Sequence, residues 1–250
     1  MASIKNNMLH NILMALMGAG DELMSYRPNL DSLSTMGIRE WAAQTDRFFD
    51  GYVPRDIESA EPRGACMSFG ELFMRMTDGQ RLPPNEKEFC LRHTEMATPW
   101  LVKHGYKPKD WTKRVARAYV SFVRDLEFLV RLKESDLFTY VYYDIEDDFK
   151  GIDAKVGYIG EEWNLQFFWF NPANPNKSLH WLEKKQAKYR HIPHLIYIPL
   201  SPLEADIIGG FNFFPADKVQ EIVKFAKRQW LMEFSAERSA KRVTGSALPI

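Results

Sequence analysis

Cysteine is nearly absent from this 250-residue chain: Cys66 and Cys90 are the only two. That excludes a disulfide scaffold and leaves core thiols in a reducing compartment as the expectation, with the cytoplasm as the expected location. Net charge is absent too, since 33 Lys and Arg balance 33 Asp and Glu. No global field therefore draws the chain to nucleic acid or to an anionic membrane, and any polyanion site must be a local patch. No apolar run approaches the roughly 20 residues that cross a bilayer, so no membrane partner is expected. At the N-terminus, Met8, Ile12 and Leu16 recur at helical spacing between Asn6, Asn7, His10 and Asn11. This reads as an amphipathic helix and not as the continuous apolar core of a signal peptide. Also missing are a G-x-G-x-x-G after a strand, a G-x-x-x-x-G-K-[ST] loop and a G-x-S-x-G elbow, which argues against three large enzyme classes. His180, His191 and His194 lack zinc-like spacing with cysteine partners and read as structural.

What is present is a hydrophobic content of 45%, enough for one large core or two small ones. Up to about residue 105, apolar residues return every three or four positions in short runs, 2–17, 36–50, 69–77 and 85–103, which predict helices. Residues 50–70 carry Pro54 and Pro62 and no period, and read as an irregular excursion. Beyond residue 105 the pattern sharpens. Asp110 is placed to cap a long helix whose stripe is Trp111, Val115, Ala118, Phe122, Leu126, Leu129 and Val130. The β-branched and aromatic runs 138–145, 152–159 and 163–170 follow, with Gly160-Glu161 as the turn between the last two, and predict a three-stranded meander. A helix from Ser178 to Tyr189, a strand at 194–200 and a helix from Pro215 to about Phe234 complete the order αβββαβα. The intervening helix predicts that 194–200 joins the sheet parallel to a neighbour. The expected organisation is α+β, with a helical N-terminal region (1–105), an α/β-type core (106–234) and a flexible tail (235–250).

This order resembles the core of the PD-(D/E)xK, or restriction-endonuclease-like, nuclease superfamily. Three pieces carry the resemblance: Glu127 on the long helix, Gly151-Ile152-Asp153-Ala154 opening the second strand, and Leu165-Gln166-Phe167-Phe168 in the third. The match covers about half the chain. It implies a metal-dependent nuclease hydrolysing phosphodiester bonds in DNA, with Glu127, Asp153 and Gln166 as ligands of Mg²⁺ or Mn²⁺. A cation held by oxygen ligands neutralises charge on the attacked phosphate and activates a water, which is the chemistry such hydrolysis needs. The sequence departs from the pattern at two positions: Gln166 stands where an acid is common, and Phe168 where the lysine is expected. Gln can still offer a carbonyl oxygen; Phe cannot replace an ammonium.

If Ile159 pairs with Glu162 across the turn, Asp153 lies opposite Phe168 and Lys155 opposite Gln166, so Asp153, Lys155 and Gln166 share a face and Lys155 becomes the substitute catalytic lysine. Lys184, Lys185, Lys188 and Arg190 on the following helix supply a candidate phosphate-binding surface, and the three lysines are further candidates for the missing ammonium. Each residue has a plainer reading. Glu127 equally fits an ion pair with Arg124 or Arg131 one turn away, Asp153 a strand start, and the lysines a solvated helix face. Asp144, Glu146, Asp147 and Asp148 read as a turn close enough to Asp153 to add a ligand. The run Phe167-Phe168-Trp169-Phe170 breaks alternation and asks for protein on both faces of its strand. It supports a second reading, a catalytically inactive nuclease-like domain serving as a structural or nucleic-acid-binding subunit of a larger assembly, with protein partners or a homo-oligomer implied.

Overall fold

The computed structural model describes residues 28–48, 53–58, 60, 62, 65–144 and 151–243. The expected helix at 2–17 and the acidic positions Glu146, Asp147 and Asp148 lie outside the described residues. Among those described, no helix is long and apolar enough to cross a membrane. The fold is mixed α and β, with helices α1 (Thr35–Gln44), α2 (Arg55–Glu58), α3 (Phe69–Gln80), α4 (Glu86–Lys103), α5 (Pro108–Glu134), α6 (Pro175–Tyr189) and α7 (Lys218–Val243). The strands are β1 (Val141–Tyr142), β2 (Ala154–Tyr158), β3 (Glu161–Trp169), β4 (Leu195–Leu200), β5 (Asp206–Ile208) and β6 (Phe211–Phe213).

Two compact units divide these elements. One comprises residues 47–122 with Asp144; the other comprises 29–46, 123–143 and 151–243. The division falls inside α5, whereas the change of sequence character falls near residue 105.

In the first unit, local signals start each helix. Ser68 accepts a hydrogen bond from the Glu71 amide at the start of α3, and Asn85 accepts from Lys87 and Glu88 at the start of α4. Pro99 sits inside α4 without ending it. The core is aromatic: Phe73 makes ring contacts with Phe89, Tyr119 and Phe122 at 5.8, 5.8 and 5.5 Å.

The second unit is built on a four-stranded sheet of order β1-β2-β3-β4, with a separate β5-β6 hairpin. β1, β2 and β3 form an antiparallel meander and β4 adds parallel to β3, as the intervening helix α6 requires. The last helix runs to Val243, past its expected end near Phe234. The β5-β6 hairpin left no clear trace in the sequence pattern, because each strand has only three residues. Its turn residue Gly209 (φ +56°) lies so near α1 that an added Cβ would meet the Ala42 carbonyl oxygen at 1.7 Å, and Trp41 of α1 packs on Phe211 at 5.6 Å.

One expectation is corrected. Tyr158 pairs with Glu161, not Ile159 with Glu162, so the turn residues are Ile159 and Gly160, at φ +53° and +78°. Two consecutive left-handed residues make the turn whose twist matches its strands, and the gain in register outweighs the strain of a β-branched residue there. The slip is two residues, so every side chain keeps its expected face. One face carries Ala154, Val156, Trp163, Leu165, Phe167, Ile196, Ile198 and Leu200, all buried. Phe128 of α5 packs on it, meeting Phe167 at 5.3 Å and Phe214 at 4.4 Å. The other face carries Tyr142, Lys155, Glu162, Asn164, Gln166, Phe168 and Tyr197, with Asp153 immediately before β2.

Candidate functional site

The β2–β3 ladder ends at Ala154↔Leu165, so Asp153 lies just before its first pair and Gln166 just after Leu165. The Asp153 carboxylate turns onto β3, where Oδ2 accepts the Phe167 amide hydrogen bond at 2.5 Å, and the Asp153 amide donates to the Leu165 carbonyl at 2.8 Å. A side chain thus replaces a ladder acceptor at the strand start. Gln166 is buried at 4% exposure, and its amide oxygen has no hydrogen-bond partner among the described residues. Its neighbour on β4, Tyr197, has a buried hydroxyl in the same condition. Burial and the nearby Tyr189 raise the Tyr197 pKa. A buried polar atom without a partner costs on the order of 1–3 kcal/mol, so two adjacent ones mark a place where a further group belongs.

Lys155 lies on the same face, two residues along β2. It pairs across the ladder with Asn164 and not with Gln166, the second consequence of the corrected turn. Its ammonium is 3.6 Å from Glu162 Oε1 and 5.8 Å above the Tyr142 ring. Phe168 stacks on Trp181 of α6 at 5.6 Å, which is how this apolar residue is covered on the polar face.

Glu127 is engaged elsewhere. It is fully buried, and Oε1 accepts from Arg39 Nε at 2.6 Å and from Arg131 Nη2. Arg39 also donates to Asp206 at 2.9 Å, and Arg131 donates to the Phe214 carbonyl at 2.7 Å. Burial pushes the Glu127 carboxyl up, and the charges and hydrogen bonds of Arg131 and Arg39 pull it back. Burial also opposes the charge on Arg39, but Glu127 and Asp206 outweigh it and the pKa rises. Of the two arginines expected beside Glu127, Arg131 takes the role, while Arg124 pairs with its neighbour Asp125 at 2.7 Å. Arg39 had no local signal, since it lies 88 residues away in sequence.

On α6, Lys184, Lys188 and Arg190 are exposed. Lys185 is half-buried, its ammonium 4.9 Å above Trp181 and 5.3 Å above Tyr189. Tyr189 is tied to the site's approach, because a Cβ at Gly151 (φ +80°) would meet its ring at 2.6 Å. Among the described residues, no three His, Cys, Asp or Glu side chains group closely enough to hold a metal ion. What the polar face offers is the carboxylate of Glu162, with that of Asp153 at the strand start, the amide oxygens of Asn164 and Gln166, and the Lys155 ammonium paired with Glu162. Compared with protein-family models, with curated proteins and with solved structures, the chain matches none of them.

Proposed function

We propose that the second unit is a PD-(D/E)xK-like core and that the chain is a metal-dependent nuclease acting on DNA. The observation that carries this reading is Asp153 bonded to the β3 backbone at Leu165 and Phe167, on either side of Gln166, whose buried amide oxygen has no partner among the described residues. Asp153 and Gln166 would hold Mg²⁺ or Mn²⁺, which supplies the Lewis acid and the activated water. Mg²⁺ is commonly held by one or two carboxylates, with waters and substrate phosphates filling the other positions, so an incomplete protein ligand set suits a site finished by the substrate. Lys155 is the ammonium on that face that would stabilise charge developing on the phosphate. Lys184, Lys185, Lys188 and Arg190 would carry the flanking backbone by phosphate contacts.

The test is cleavage of single- and double-stranded DNA with Mg²⁺ or Mn²⁺, together with metal titration. Asp153→Ala should abolish both metal binding and cleavage while the fold persists, and Lys155→Met should lower turnover more than binding. Cleavage by the Asp153→Ala protein at the wild-type rate would sink the proposal. Nucleic-acid affinity through α6 should fall steeply between 50 and about 200 mM salt.

A second reading has its own support: Glu127 is closed between Arg39 and Arg131, and Phe168 occupies the lysine position against Trp181. It makes the domain an inactive nuclease-like subunit that binds nucleic acid or protein. Salt-sensitive nucleic-acid binding without cleavage under either metal would select it.

A further inference from the structure

We propose that Tyr140 and Tyr142, on the open edge of the sheet, form a stacking platform for an unpaired nucleobase, so that the strand presented to the Asp153–Gln166 pair is single-stranded. The link to Asp153 rests on the proposed nuclease; the platform itself rests on the geometry below.

β1 is the edge strand of its sheet. Tyr140 and Tyr142 are alternate residues on one face, with ring centroids 5.6 Å apart and planes 25° apart. Room for the first ring is built into β2. The main chain around Tyr140 continues the pairing past β1, with the Thr139 amide donating to Gly157 and the Gly157 amide donating to Tyr140. A Cβ at Gly157 would lie 2.2 Å from Thr139 Oγ1 and 2.6 Å from Tyr140 Cε1. Any larger residue would lift the ring off the sheet.

The rings are also pinned. Both hydroxyls donate to Glu162 Oε2, at 3.1 Å from Tyr140 and 3.0 Å from Tyr142. Glu162 in turn pairs with Lys155, whose ammonium lies over Tyr142. Fixing the rings before binding removes much of the ordering cost that a ligand must otherwise overcome. Yet Tyr140 remains 40% exposed and Tyr142 half-buried, so the pinned pair presents part of its surface, mainly the Tyr140 ring, to solvent.

Flat, oriented π surfaces beside an ammonium suit a nucleobase with its phosphate, by stacking and by charge. The position fits the strand. Lys155 pairs with Tyr142 and lies two residues from Asp153, about 7 Å along β2, a separation that one nucleotide can bridge. A base inside a duplex hides both faces in its own stack, so the platform selects a strand whose bases are unpaired.

The experiment measures binding of a fluorescent oligothymidylate, and of a duplex of equal length, to the full chain in buffer without Mg²⁺ or Mn²⁺. The Tyr140→Ala/Tyr142→Ala protein should bind the single strand about tenfold or more weakly. Its salt dependence should be unchanged, because no phosphate-binding charge is removed. Tyr140→Phe/Tyr142→Phe keeps both rings but loses the bonds to Glu162, and should bind the single strand more weakly than wild type and more tightly than the alanine protein. If the alanine protein fails to fold, photo-cross-linking of a 5-iodouracil oligonucleotide to the wild-type chain decides, with adducts expected on Tyr140 or Tyr142. Unchanged single-strand affinity, an equal loss for duplex, or cross-links elsewhere overturn the platform. If Asp153→Ala abolishes cleavage while the alanine pair binds normally, the platform alone fails. If nothing is cleaved but the alanine pair loses single-strand affinity, the nuclease fails and the platform stands.

Discussion

Glu127 and Asp153, two carboxylates that the sequence pattern assigns to one site, sit in contrasting surroundings. Glu127 is fully buried with guanidinium groups from α1 and α5 on one oxygen. Asp153 is half-buried at a strand start and accepts from the Phe167 backbone amide, next in sequence to Gln166, whose amide oxygen has no partner among the described residues. The first arrangement has its charge compensated by two arginines on Oε1, and its buried Oε2 has no partner among the described residues. The second has a carboxylate held by a backbone amide. Burial of a charge therefore does not by itself distinguish structure from function; the groups placed against it differ between the two.

The sharpest test of that contrast is Glu127→Ala. It strands two arginines without their shared acceptor and should cost about 3–5 kcal/mol by urea denaturation. A loss under about 1 kcal/mol would show that the pair of arginines is solvated and that Glu127 is free to serve elsewhere.

His93 extends the comparison to the helical unit. Its Nε2 meets the Met67 carbonyl at 3.0 Å and its Nδ1 accepts from Trp111 Nε1 at 3.3 Å, so the ring is held neutral. Burial lowers its pKa from the ordinary 6.5 to about 4. For a base whose folded pKa is depressed, the neutral fold binds fewer protons than the unfolded chain. The contribution is present above pH 6.5 and is lost as pH falls towards 4, by up to about 3 kcal/mol. Denaturation midpoints at pH 7 and pH 4.5 should separate for wild type, and less so for His93→Gln.

Gln166→Leu should have a smaller effect on stability and the opposite sign. Removing the amide should leave the fold unchanged or up to about 1 kcal/mol more stable, and under the proposed nuclease reading it should weaken metal binding. A large destabilisation would mean that the amide is already satisfied in solution, and the unpartnered-oxygen argument would fall. The smallest effect belongs to Ile159→Asn at the β2–β3 turn, where relief of the left-handed strain should add roughly 0.5–1 kcal/mol in thermal melts.

Much of the second unit was legible because its signals are local. The apolar stripe of α5, the alternation in β2 and the parallel addition of β4 follow from periodicity and chain connectivity. Asp153 and Gln166 were picked out as candidates by the resemblance, and the face shared by Lys155 and Gln166 survived the turn error because the slip was even. Lys155 kept its face but lost its expected partner for the same reason. The shortness of β1 and the β5-β6 hairpin were not legible, since short pairings leave little pattern.

The sequence by itself determined where α5, β2, β3, α6 and β4 run and which side chains share a sheet face, because helical and strand periods are set by residues a few positions apart. Only the tertiary structure decided that Arg39 closes on Glu127, that Phe168 is covered by Trp181 and that the Gln166 amide oxygen is left without a partner among the described residues. Those outcomes depend on segments tens of residues apart competing for the same polar atoms, and that competition is resolved when the chain packs.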